Sequence, residues 1–241
     1  MSSLTTVEGL AAAFGLDDSQ AAALSRYADA ILAWRLGNVT ALRTRPEVLR
    51  TLIGDSLALL DVEQLGERVG AGWLDLGAGA GVPGIPLAVA LPGTELTLLD
   101  AAVKKCEFLR AAVAAAGIGA RTQVVCARSE RHAALGAPGR EAYAVVLARA
   151  VAPLASLVEL AAPLLAPGGV LLASKTARAL RAEAASAEAA AALCGLAAGP
   201  VAKLSRSPLG DAVCAVYEKR SPVPDRLPRR EGMAVRRPLA G

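Results

Sequence analysis

Trp73-Leu74-Asp75-Leu76-Gly77-Ala78-Gly79-Ala80-Gly81-Val82-Pro83-Gly84-Ile85-Pro86 decides the fold of this chain. A short apolar run stops at Asp75-Leu76 and empties into glycines at 77, 79 and 81, after which the residues read as the start of a helix. A strand feeding a glycine turn that opens a helix presents bare backbone and a positive helix N-terminus to a ligand. The stretch also contains Gly79-Ala80-Gly81-Val82-Pro83-Gly84, a match to the dinucleotide fingerprint, with Asp100 about twenty residues further on as its acidic partner. Taken alone, that match is weak.

Outward from the turn, strand patterns fall at 72–76, 95–100, 121–126, 143–148, 169–174, about 200–205 and 211–217. Helical periodicity occupies 84–91, 103–116, 129–135, 153–165 and 177–193. Short apolar strands alternating with helices predict a parallel, doubly wound sheet. The last two strands have only the turn around Ser207-Pro208-Leu209-Gly210 between them. A connection that short cannot make a right-handed crossover, so they should pair as an antiparallel hairpin. The expected class is α/β: a Rossmann-like, seven-stranded, mostly parallel sheet with an antiparallel C-terminal hairpin, preceded by a small N-terminal helical cap.

In that cap, Thr5-Thr6-Val7-Glu8 and Thr44-Arg45-Pro46-Glu47 fit a capping box, and Pro46 suits a first helical position. Asp17 and Asp18 precede a helix running to about Trp34, with Leu24, Tyr27, Ile31 and Trp34 at helical spacing. The expected division is 1–62 helical cap, 63–218 ligand-binding domain and 219–241 basic, proline-rich tail.

In this setting Asp75-x-Gly77-x-Gly79-x-Gly81 resembles the first motif of class I S-adenosylmethionine (SAM) methyltransferases, whose glycine turn passes under the methionine part of the cofactor. Three features favour that ligand over a nicotinamide dinucleotide. Asp75 is positioned for a methionine amino group, Pro83 removes an amide that a pyrophosphate-wrapping helix needs, and the C-terminal hairpin belongs to the methyltransferase sheet. Asp100 ends Leu98-Leu99-Asp100, where a carboxylate accepts both ribose hydroxyls; it also suits a cap for the next helix. Ser129 and Glu130 follow the third strand, where such folds place groups around adenine, although a plain surface helix start reads the same.

Arg149 ends the apolar run Ala-Val-Val-Leu-Ala-Arg, the expected central fourth strand. An arginine there points into the ligand crevice, and burying it without a carboxylate is costly. The candidate partners are the SAM carboxylate, Asp75 or an RNA phosphate. Lys175 takes the analogous end of the fifth strand. These two are the candidate positioning residues of the reaction.

Composition narrows the class. Among 241 residues, 54% are hydrophobic and 20% charged, as in one globular domain with trimmings. No basic start runs into an apolar stretch, and the most apolar region, 144–173, is broken by Arg149, Glu159 and Pro167-Gly168-Gly169. A cytoplasmic protein without a membrane span is expected. Cys106, Cys126, Cys194 and Cys214 form no Cys-x-x-Cys pair, and His132 is the single histidine, so no metal is expected and the thiols read as buried and inert. The chain's net charge is +4; residues 219–241 carry seven basic residues against two acidic, or +5, which leaves the body near −1. A near-neutral body with a basic tail suits an anionic partner, most readily RNA.

The absences matter too. The end of strand four reads Arg149-Ala150-Val151-Ala152 rather than the Asn/Asp-Pro-Pro-Tyr/Phe of amino-group methyltransferases, and no Pro-Cys is available for attack on a pyrimidine. His132 reads as incidental. An acceptor that needs no general base is therefore expected. Guanine N7 is one, since its lone pair is free at neutral pH and alignment supplies most of the rate.

Taken together the motifs resemble the RsmG (GidB) family of small-subunit ribosomal RNA guanine-N7 methyltransferases. The likeness rests on Asp75 to Leu87, on Leu98-Leu99-Asp100 with Lys104-Lys105 and Phe108-Leu109-Arg110, on Arg128-Ser129-Glu130 and on Ala148-Arg149-Ala150. Pro228-Arg229-Arg230-Glu231-Gly232-Met233 through Arg237-Pro238-Leu239 is similar to the family's basic ending. The resemblance implies SAM as cofactor, held at Gly77, Val82, Ser129, Glu130 and Arg149, and 16S ribosomal RNA of the small subunit as partner. Asp75, Gly79, Gly81 and Asp100 complete the expected cofactor set. Arg229, Arg230, Arg236 and Arg237 are the expected RNA contacts, and a monomer is expected. The chain departs from the family pattern at Arg35, Leu52, Ala144 and Thr176. Two alternatives carry the same motifs: a SAM enzyme with a small-molecule or protein acceptor, and a non-catalytic ribosomal RNA-binding or assembly factor.

Overall fold

The computed structural model describes residues 4–240. Alternation along the strands builds the molecule. In β1 (Gly72–Leu76), Trp73 faces one side of the sheet and Leu74 and Leu76 the other. The pattern repeats in β2 (Glu95–Asp100), β4 (Tyr143–Arg149) and β5 (Leu165–Thr176). Leu98, Leu147 and Leu172 join Trp73 on the first face, while Leu99, Val146 and Leu171 join Leu74 on the second. A sheet apolar on both faces needs helices on both.

The strand order is β3-β2-β1-β4-β5-β8-β6, with β3 at Thr122–Cys126, β6 at Leu196–Ala198 and β8 at Ala212–Lys219. β1 to β5 are parallel, and β8 runs antiparallel to β5. The expected hairpin is β7 (Ala202–Lys203) with β8. One difference is that the edge strand comes in two pieces. β6 and β7 both pair with β8, and the gap holds Gly199 and Pro200. Proline has no N–H for a ladder, so the strand breaks there. The eight segments thus fill seven strand positions.

The first face is covered by α6 (Gly84–Ala90), α7 (Val103–Ala116) and the N-terminal helices. α1 (Val7–Phe14) is capped by Thr6, whose hydroxyl accepts from the Gly9 N–H at 3.0 Å, one residue after the expected box start. Asp17 with Gln20 boxes α2 (Asp18–Ala33), and Thr44 with Glu47 boxes α3 (Arg45–Glu47). That last run goes on as a π-helix over Val48–Gly54, then α4 (Asp55–Leu57) and a 3-10 turn over Ala58–Asp61, before α5 (Glu63–Gly66). Leu24, Tyr27, Ile53 and Leu57 are fully buried in the same cluster as Trp73. These helices therefore form a layer of the sandwich and share its core.

The second face carries α9 (Leu154–Ala161), α10 (Ala177–Cys194) and α11 (Met233–Arg236), with α8 (Ser129–His132) at the end of β3. The C-terminal residues pack here: Val223, Leu227 and Ala234 are buried. Lys219, counted with the basic tail, is the last residue of β8; its buried ammonium meets Glu141 at 2.5 Å and the Leu165 carbonyl at 2.7 Å. The thiols divide otherwise than expected. Cys106, Cys194 and Cys214 are buried, whereas Cys126, at the open end of β3, is exposed.

Candidate cofactor cleft

Strand order reverses between β1 and β4, because β2 and β3 lie on one side of β1 while β4 and β5 extend on the other. Open α/β sheets bind ligands at such a switch point, outside the carboxyl ends of the strands. The glycine turn leaves β1 there. The Gly77 and Ala78 N–H groups donate to the Leu99 carbonyl at 2.8 and 3.0 Å, pinning the turn over β2. Gly77, Gly79 and Gly81 all have positive φ. At Gly77 the glycine is needed twice, since a Cβ would also sit 2.9 Å from Val151 Cγ2. From the first-face helices, Tyr27 donates its hydroxyl to the Ala80 carbonyl at 2.5 Å. Burial raises the Tyr27 pKa, so the hydroxyl keeps its proton for that bond.

A cavity of about 290 Å³ opens beside the turn, with Gly77, Asp100, Ser129 and Glu130 in its lining. Asp100 accepts from the Gly79 N–H at 3.0 Å and the Ala102 N–H at 2.9 Å, with the Lys105 ammonium 3.8 Å away. It thus serves as both turn clasp and helix-start acceptor. Ser129 donates to Glu130 Oε2 at 3.1 Å, and Glu130 Oε1 accepts the Gly232 N–H at 2.7 Å.

The other expected cofactor residues stand behind this lining. Asp75 faces α6 together with Trp73, because period two puts both on the first face. Its Oδ2 accepts the Gly84 N–H at 2.8 Å, and its buried Oδ1 has no hydrogen-bond partner. Burial raises its carboxyl to about 7, although the Gly84 N–H and the Arg149 charge pull downward. Gly84 must be glycine, since a Cβ would meet Asp75 Oδ2 at 2.8 Å. Val82 packs into the first-face core, and Gly81 sits against Ile85.

Arg149 and Lys175 are both engaged inside the fold. Arg149 Nη2 lies 3.1 Å from Asp55 Oδ2 and donates to the Thr51 carbonyl at 2.8 Å. Its carboxylate partner within the chain is thus Asp55 of α4 rather than Asp75. Lys175 bonds Glu183 at 2.8 Å and the Ala152 carbonyl at 3.1 Å, and Glu183 in turn accepts the Leu154 N–H at the start of α9. Neither residue lines the cavity. His132 is buried, with Nε2 2.7 Å from the Tyr143 hydroxyl, and burial lowers its pKa.

Of the four arginines expected on RNA, Arg229 forms a two-pronged ion pair with buried Glu159, at 2.6 Å on each prong. Arg230, Arg236 and Arg237 are exposed. The sequence reading had not assigned Lys105, Val151, Gly232 or Val235 to the cleft, yet all four line it. Lys105 had a usable signal, lying in the first turn of the helix after Asp100. Gly232 and Val235 had none, because only the folded tail brings them there. At the departure positions, the Leu52 carbonyl receives Arg149 and Thr176 caps α10 through the Ala179 N–H. Among the described residues, no helix is long and apolar enough to cross a membrane, and no three His, Cys, Asp or Glu side chains gather as a metal site.

A parallel sheet reversing at a glycine turn, a carboxylate at the end of β2 and a closing antiparallel strand define the class I methyltransferase fold. Solved structures of that class match it. Protein Atu636 of Agrobacterium tumefaciens, described as a predicted O-methyltransferase, has a TM-score of 0.53 at 21% identity, covering 69% of this chain and 81% of that one. The SAM-dependent methyltransferase SibL has a TM-score of 0.52 at 18% identity, covering 68% and 54%. The chain belongs to the GidB family, rRNA small subunit methyltransferase G, whose model matches residues 20–208. It is 36% identical to ribosomal RNA small subunit methyltransferase G of Rubrobacter xylanophilus, over 92% of this chain and 85% of that protein. It is 38% identical to the protein of the same name from Chloroflexus aggregans, over 93% and 92%.

Proposed function

We propose that this protein transfers a methyl group from SAM to N7 of a guanine in 16S ribosomal RNA of the small subunit. The observation that carries the reading is the cleft at the strand reversal, where Gly77, Asp100, Ser129 and Glu130 converge beside a positive-φ glycine turn. The residues fit the cofactor. The space beside Gly77 would be closed by any side chain, and Asp100 presents a carboxylate of the kind that accepts vicinal hydroxyls. Apolar Leu99 and Leu160 offer walls for a planar base. When bound, SAM supplies an electrophilic methyl on a positively charged sulfur.

The chain's own residues then bind, orient and exclude water. The Gly77 turn, pinned to β2, fixes the floor, and the hydroxyl of Tyr27 holds it from behind. Asp100 and Glu130, Arg149 and Lys175 already have partners within the fold. That arrangement suits an acceptor whose lone pair needs no deprotonation, for which alignment supplies most of the rate. Exposed Arg230, Arg236 and Arg237, beside the cleft on the tail, suit phosphate contacts. The family's name gives the small-subunit RNA as the acceptor class. The test is methyl transfer from labelled SAM to small ribosomal subunits lacking the modification. Label in the small-subunit RNA supports the reading; label only in protein or large-subunit RNA contradicts it.

A further inference from the structure

The tail does more than carry charge. It reaches the cleft and supplies part of its lining, Gly232 and Val235. Four contacts with the rest of the chain fix it there, and a fifth closes it on itself. Arg229 holds Glu159, which is 2% exposed, through two bonds of 2.6 Å. The same guanidinium donates to the Arg237 carbonyl at 2.7 Å and so closes the tail into a loop. Ser156 donates to the Ala234 carbonyl at 2.8 Å, and Arg131 meets Glu231 at 2.9 Å. Finally the Gly232 N–H donates to Glu130, a carboxylate that itself lines the cavity.

Val235 is the telling residue. It is 53% exposed although it belongs to a segment otherwise anchored by buried groups. It lines the cavity together with apolar Leu160, Leu99 and Ala127. An apolar side chain left bare at a cleft is a surface for a ligand. The same lining holds the polar side chains of Ser129, Glu130 and Asp100. A flat, partly apolar group with polar edges fits between such walls.

Resting on the reading that SAM is the cofactor, we propose that residues 228–240 are a component of the cofactor site. Val235 and Gly232 form the outer wall against the adenine, and Glu130 latches that wall to α8. Seating the tail and holding the cofactor are then one event. An anionic partner on Arg230, Arg236 and Arg237 that steadies the tail tightens the cofactor, and the cofactor tightens the partner by the same factor.

The test is direct binding of S-adenosylhomocysteine by calorimetry to the full chain and to Val235→Asp. Because Val235 is half exposed, the substitution should leave the fold intact, which the unliganded melting temperature checks. Val201→Asp, 54% exposed beyond the cleft, is the control. The expected result is at least a tenfold loss of affinity in Val235→Asp, a smaller loss in Val235→Ala and none in Val201→Asp. Tryptic cleavage after Arg230 and Arg236 should also slow when ligand is added. Unchanged affinity in both Val235 variants overturns the proposal. If the unaltered chain binds no ligand, the cofactor reading itself fails, and this proposal with it.

Discussion

The guanidinium of Arg149, at the end of β4, lies 3.1 Å from the carboxylate of Asp55 in α4, and both side chains are largely buried. The pair ties the N-terminal helical layer to the sheet beside the cleft. Asp55 also accepts the Ser207 hydroxyl at 2.5 Å, so one carboxylate joins three parts of the chain. Removing one partner leaves a buried charge alone. Asp55→Ala should therefore cost about 3–5 kcal/mol of stability in denaturant unfolding. The double change Asp55→Leu with Arg149→Met should cost less than Asp55→Ala, because it leaves no orphaned charge. A double variant less stable than the single one would contradict this.

Tyr27→Phe removes the hydroxyl that serves the Ala80 carbonyl and leaves that group unpaired beneath the glycine turn. A loss of about 1–3 kcal/mol is expected, together with weaker cofactor binding. Calorimetric melting and ligand titration read the two separately. Unchanged values in both would remove Tyr27 from the support of the turn.

Asp75 makes stability depend on pH. Its folded carboxyl titrates near 7, raised by burial, while the unfolded value is the ordinary one near 3.8. Between those values the folded state binds more protons than the unfolded state, so stability falls as pH rises through that window. Asp75→Asn removes the titration. The difference in melting temperature, variant minus wild type, should therefore grow more positive from pH 5 to pH 8. A difference that stays flat or reverses would show that Asp75 is ionised in the unliganded fold.

Salt dependence separates the tail arginines. Arg230→Ala removes an exposed cation, and if that side chain meets phosphate, the log–log salt slope of RNA binding should fall by roughly 0.7 to 0.9. Arg229 is already paired with Glu159. Arg229→Lys should cost stability through the lost two-pronged geometry and leave the salt slope unchanged. A slope change for Arg229 but none for Arg230 would reverse these roles.

Much of this was legible before the structure. The strands β1, β2 and β4 lie within a residue of their apolar runs, because a strand buried on both faces has little else to be made of. The turn at Gly77 and the carboxylate at Asp100 follow from local spacing. The partner of Arg149 did not, because Asp55 lies far earlier in the chain and only the π-helical run at Val48–Gly54 brings it to β4. The surroundings of Asp75, buried against the Gly84 N–H, were not legible either. Asp75 is one residue past the inward Leu74, and that single step turns it to the α6 side. The tail looked like a free appendage because its prolines and arginines outnumber Val223, Leu227 and Ala234, the few residues that hold it down.

The most direct test of the account is nucleoside analysis after transfer of labelled methyl groups to unmodified small subunits by the wild-type chain and by Asp100→Ala. The account predicts label in 7-methylguanosine for the wild type, and a loss of label in Asp100→Ala that tracks lost cofactor binding. Label in any other nucleoside, or full transfer by Asp100→Ala, would contradict it.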